Sequence, residues 1–135
     1  MYKNILVPVA FDDTHDNSSA LNAARALVDE GGTITLLHVM DAVPTYAVSY
    51  LPAGYRTTAR DGIISELNAT ADSVPGGKSD VIEGHPGTSI VEYANEKGAD
   101  LIVVASHRPG FSDYFLGSTA ARVVRHAQCA VHVTR

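Results

Sequence analysis

A polar loop and the start of the helix after it hold the residue types in this chain best suited to chemistry. Leu101-Ile102-Val103-Val104-Ala105 reads as a buried strand running into Ser106-His107-Arg108-Pro109-Gly110, and Gly117-Ser118-Thr119 opens the next helix. The first N–H groups of a helix have no partner within it, and the helix dipole favours negative charge there. Gly117 lets a ligand approach the backbone closely, and Ser118 and Thr119 add hydroxyl donors. Such a start can seat a phosphate. It can equally be an ordinary N-cap, since Ser and Thr cap helices without binding anything. Both readings stand on these residues alone. Arg108, inside the loop, would put a fixed positive charge near a polyphosphate.

Other reactive side chains are scattered. Asp12, Asp13 and Asp16 form a small acidic cluster. It reads either as a solvated loop with helix capping or as a ribose contact or a Mg²⁺ ligand held through bound phosphates. The histidines at 15, 38, 85, 107, 126 and 132 show no H-x-H or H-x-x-x-H spacing, so no tight zinc site is expected. His38 and His107 stand apart because both fall near the carboxyl ends of strands. Arg122 and Arg125 read as surface charges. Cys129, the one cysteine, lies in an apolar stretch and reads as an inert thiol.

Several common sites are excluded. Gly77-Lys78-Ser79 resembles the end of a phosphate-binding P-loop, but Asp72 stands where its first glycine belongs and a strand follows. Neither G-x-G-x-x-G nor G-x-S-x-G occurs.

The elements that must position these residues alternate between strand and helix. An apolar strand is expected at 4–9, and a helix capped by Asn17 and Ser18 and stopped by Gly31-Gly32. A second strand is expected at 33–40. The connection 41–56, with two prolines and three tyrosines, is long enough to be a lid. A helix at 57–73 and a strand at 79–83 follow. Pro86 opens the next helix and Gly98 closes it. Strands at 101–105 and 130–134 flank a helix at 118–127. This alternation predicts an α/β fold, a doubly wound parallel sheet with two helices on each face. Ligands of such sheets sit beyond the carboxyl ends of the strands, where the strand order reverses.

At 135 residues and 45% hydrophobic content, one domain over 1–135 is expected, with a core large enough to need no disulfide. A net charge of -5 argues against nucleic acid as a partner. With no apolar run of membrane-spanning length and no signal-peptide core, no membrane insertion and a cytoplasmic location are expected.

The chain resembles the universal stress protein family along its whole length. The resemblance is carried by Ile5-Leu6-Val7-Pro8-Val9, Leu36-Leu37-His38-Val39, Glu83-Gly84-His85-Pro86-Gly87, the 101–107 strand and loop, and most specifically the run from Gly117 to Val133. The loop with Tyr114-Phe115-Leu116-Gly117-Ser118 is similar to the F/G-type subgroup of small bacterial members. The resemblance implies a five-stranded sheet of order 3-2-1-4-5, adenine-nucleotide binding, and a homodimer through residues 130–134. It places adenine near Pro8, Val9 and Val39, and phosphates at Gly117, Ser118 and Thr119, with His107 and Arg108 nearby. The chain also departs from the family's glycine pattern. Ala105 and Arg108 occupy its first two glycine positions, and eight residues rather than nine separate Arg108 from Gly117. Ala10 stands where the family carries an aspartate, a role that Asp12 or Asp13 would have to take.

Two functions follow as expectations. One is a regulatory module whose ATP or AMP, with or without Mg²⁺, orders the loops at 41–56 and 106–116 and so changes a surface seen by a regulatory protein partner. With no evident general base or nucleophile, fast hydrolysis is not expected. The other is a dimeric interaction protein that binds no nucleotide.

Overall fold

A computed structural model of the chain describes residues 1–11, 17–106 and 116–135. Five parallel strands, β1 (Tyr2–Pro8), β2 (Val28–Met40), β3 (Gly77–Glu83), β4 (Leu101–Ala105) and β5 (Ala130–Thr134), form one sheet in the order β3-β2-β1-β4-β5. Strands in such a sheet are covered on both faces and therefore run continuously apolar. Ile5, Leu6 and Val7 of β1 and Leu101 to Val104 of β4 are all buried.

Side chains alternate between two cores, as the two-residue strand period requires. On one face Ile5, Val7, Ile34 and Leu36 pack against Leu21 and Ala24 of α1 (Ser18–Leu27) and Leu67 and Ala71 of α3 (Tyr55–Asp72). On the other, Leu6, Leu37, Ile102 and Val104 meet Ile90 and Ala94 of α4 (Pro86–Lys97) and Ala120 and Val123 of α5 (Ser118–His126). Each of the valine, leucine and isoleucine side chains contributes roughly 1.5–3 kcal/mol when fully buried. Two long helices therefore cover each face, as expected.

Both helix signals read for α4 hold. Pro86 occupies its first turn, and Gly98 closes it in the left-handed region at φ 69°. Around α1 the structure corrects the sequence reading. The helix ends at Leu27 rather than at Gly31-Gly32, because Val28 already pairs with Tyr2. The register then shifts before Asn4 pairs with Thr33, and the two glycines absorb the irregularity. Gly31 has φ 79°, and a Cβ on Gly32 would come within 3.1 Å of the Lys3 carbonyl oxygen. Nor does Asn17 cap α1 with its side chain. Its Nδ2 instead donates to the Ala10 carbonyl at 3.1 Å.

The 41–56 connection contains one short helix, α2 (Thr45–Val48), and Gly54, at φ 75°, leads into α3. Arg56 braces the base of this excursion. Its Nη2 lies 2.8 Å from Glu83 Oε1 and donates to the Asp41 carbonyl at 3.2 Å. Tyr46, Tyr50 and Tyr55 along it are exposed.

At the opposite edge of the sheet, Asp100 ties β1 to the turn before β4. Its carboxylate accepts the N–H groups of Lys3 at 2.9 Å and Asn4 at 3.0 Å. The Asp100 N–H returns a bond to the Asn4 carbonyl at 2.9 Å.

Candidate functional site

In the order β3-β2-β1-β4-β5 the connections reverse direction between β1 and β4, so the βα turns diverge there and leave a crevice at the carboxyl edge. An open cleft of about 310 Å³ occupies this position. Pro8, Val9, Leu37, Val39 and Val104 give it apolar walls, while Thr119 and Ala120 bring the first turn of α5 to it. Pro86 and Ile90 bring the first turn of α4.

Five of the residues singled out by sequence, Pro8, Val9, Val39, Ala105 and Thr119, line this one cleft. Gly117 and Ser118 lie directly ahead of Thr119 on the same helix start. Asp12, His107 and Arg108 lie outside the described residues, as do Asp13, Asp16, Tyr114 and Phe115.

The start of α5 has a defined inventory of donors. The Gly117 N–H is bonded to the Ser106 carbonyl, and the first intrahelical bond runs from the Ala121 N–H to the Gly117 carbonyl at 2.8 Å. The N–H groups of Ser118, Thr119 and Ala120 therefore lie ahead of the helical ladder. Gly117 itself has φ -56° and ψ 153°, backbone angles open to any residue. What glycine adds there is the missing Cβ.

Among the described residues, the ionisable side chains lining the cleft are His38 and Asp41. The Nδ1 of His38 lies 2.7 Å from the Val9 carbonyl oxygen. Asp41 sits exposed at the rim. Among the described residues, no group of three His, Cys, Asp or Glu side chains is arranged to hold a metal ion. Cys129 is half-buried, and burial, followed by the charge of Asp100, pushes its thiol pKa up, away from a reactive thiolate.

Sequence reasoning did not place Asn17, Pro86 and Ile90 at the cleft. For Pro86 a signal existed, because every turn from a strand into a helix opens on the carboxyl edge. The turn after β3 therefore converges there with the others.

The strand order, the apolar crevice at its switch point and the two helix starts at the mouth define a doubly wound α/β protein. The chain belongs to the universal stress protein family, whose profile matches residues 1–135. It is 30% identical over 145 residues to universal stress protein G of Escherichia coli O157:H7, with 100% of each chain covered. It is thereby similar to the G-type members. The solved structure of the universal stress protein UspA from Lactobacillus plantarum is 31% identical, with a TM-score of 0.73 over 99% of this chain and 98% of that one. The universal stress protein from Archaeoglobus fulgidus in complex with dAMP shares the fold at 19% identity, with a TM-score of 0.62 over 99% of this chain and 98% of that one. No described helix is long and apolar enough to cross a membrane.

Proposed function

We propose that this protein is a regulatory module that binds an adenine nucleotide, ATP or AMP, in the cleft at the carboxyl edge of the sheet. The purine lies against Pro8, Val9 and Val39, with Ala105 beside it. The phosphates lie at the start of α5, over Gly117, Ser118 and Thr119, and Mg²⁺ is carried on them. Asp12, His107 and Arg108 are the remaining residues of the proposed site.

One observation carries the reading: an apolar slot and a helix start whose first N–H groups lie ahead of the helical ladder meet in the same crevice. Hydrogen bonds to a charged partner contribute roughly 1.5–3 kcal/mol each, and micromolar affinity needs about 8 kcal/mol. The amides of Ser118, Thr119 and Ala120 supply much of that, less the cost of ordering ligand and loops. The dAMP complex of the Archaeoglobus fulgidus relative lends the reading support by analogy of fold. The module binds and signals rather than turning nucleotide over quickly, and it acts in the cytoplasm through a regulatory protein partner.

Freshly purified protein, denatured and chromatographed, should release adenine nucleotide, or added ATP should raise Tm. At a hundredfold excess over Kd the gain is about 2.7 kcal/mol. Absence of both effects at millimolar ATP would overturn the proposal.

The homodimer belongs to the same reading. Among the described residues β5 is an edge strand that pairs only with β4, and Val133 on it is exposed. Antiparallel pairing of two copies would satisfy that edge. Sedimentation should give a dimer, and Val133→Glu should shift it to monomer.

A further inference from the structure

Among the strand residues that line the cleft, only His38 carries a polar side chain; the others are Pro8, Leu37, Val39, Val104 and Ala105. Its Nδ1 lies 2.7 Å from the Val9 carbonyl oxygen. A carbonyl can only accept, so Nδ1 carries the hydrogen and donates it. The neutral ring then presents Nε2 as a lone-pair acceptor. Phe11 packs on the ring with 5.1 Å between centroids and 75° between planes, and this contact and the Val9 bond together hold its orientation. Among the described residues Nε2 has no hydrogen-bond partner.

Of the other polar side chains lining the cleft, Asn17 is committed to the Ala10 carbonyl and Asp41 is exposed at the rim. Thr119 belongs to the α5 end. With Nε2 turned to the ligand, a nucleotide in the cleft would strip water from it, and an acceptor left unmatched weakens binding. A ligand that fits must therefore bring a donor to this nitrogen.

We propose that His38 Nε2 accepts a hydrogen bond from a hydroxyl or amino group of the bound nucleoside, which makes His38 a specificity-determining residue of the cleft. This rests on the nucleotide reading above. Two parts of an adenine nucleotide carry such a donor, the ribose hydroxyls and the exocyclic amine of the base.

The test is calorimetric titration of AMP, 2′-deoxy-AMP, 3′-deoxy-AMP and purine riboside monophosphate, which lacks the amine. Wild type, His38→Asn and His38→Gln are compared. Asparagine keeps a donor at the Nδ1 position and removes Nε2, whereas glutamine reaches the Nε2 position with a carbonyl acceptor. His38→Asn should bind AMP about tenfold more weakly, with the Tm of the free protein close to wild type. One analogue should bind wild type about tenfold more weakly and lose nothing further in His38→Asn, and its identity tells ribose from base. His38→Gln should recover most of the affinity for AMP. The inference is overturned if wild type treats all four ligands alike, or if His38→Asn weakens all four equally or none. With AMP bound normally by wild type, those results leave the nucleotide reading intact. If wild type binds none of the four, both fall together.

Discussion

The side chain of Arg122 lies across the backbone of Gly87, so that a Cβ on the glycine would come 2.7 Å from Arg122 Cδ and 3.0 Å from Arg122 Cβ. This close approach joins the first turn of α4 to α5, the two helices whose starts open on the cleft. Gly87→Ala should cost about 1 kcal/mol in urea unfolding, the steric overlap outweighing alanine's better helix propensity. In an Arg122→Ala background the cost should fall, because Cγ and Cδ are gone and only the Cβ contact at 3.0 Å remains. Equal effects in both backgrounds would show that the arginine stem is not what the glycine accommodates.

Gly117→Val should abolish the rise in Tm produced by ATP and leave the fold intact. The backbone angles at Gly117 are open to valine, so no backbone strain is expected, while the added side chain would cover the approach to the α5 amides. Circular dichroism checks the fold, and thermal melts with and without ATP check the site. An undiminished shift would move the phosphates elsewhere.

Asp100→Ala should cost about 2 kcal/mol, because two backbone donors of β1 lose a charged acceptor. The loss should appear in the urea midpoint with an unchanged slope. ATP binding should survive, since this clamp sits at the far edge of the sheet from the cleft.

Tyr93 donates to Asp80 at 2.9 Å, and its pKa is pushed up to about 12, first by burial, then by the Asp80 hydrogen bond and charge. The phenol in the unfolded chain ionises near 10. The neutral phenol is thus favoured in the folded state. Its stabilisation is complete below pH 10 and is lost as pH rises from there towards 12. In an alkaline absorbance titration, one of the six tyrosines should ionise late. Tyr93→Phe should remove that step and flatten the alkaline loss of stability.

Legibility of the fold followed the local chemistry. β4 and β5 could be read to the residue, β4 as an apolar run between polar turns and β5 as a short stretch in which Val131 and Val133 alternate with His132 and Thr134. α4 was marked at both ends by Pro86 and Gly98. The start of β2 could not be read, because Gly31-Gly32 looks like a helix stop, and only the pairing of Val28 with Tyr2 shows the strand already under way. α2 spans four residues with none buried, too short for any periodicity. The same divide runs through the site. Pro8, Val9, Val39, Ala105 and Thr119 were legible because topology sends strand ends and the α5 start to one edge. The bond from His38 to Val9 joins residues 29 apart, and the capture of the Gly117 N–H by Ser106 joins residues well apart in sequence. Neither has a local signature.

Arg56 holds the carbonyl of Asp41 and the carboxylate of Glu83 together, so both feet of the tyrosine-bearing excursion stay anchored whatever happens between them. Extra residues inserted near Tyr50 would lengthen an already pinned arch, at an entropic cost that grows only slowly with length. Here evolution, or an engineer, has room to graft new recognition onto the protein without touching either hydrophobic layer.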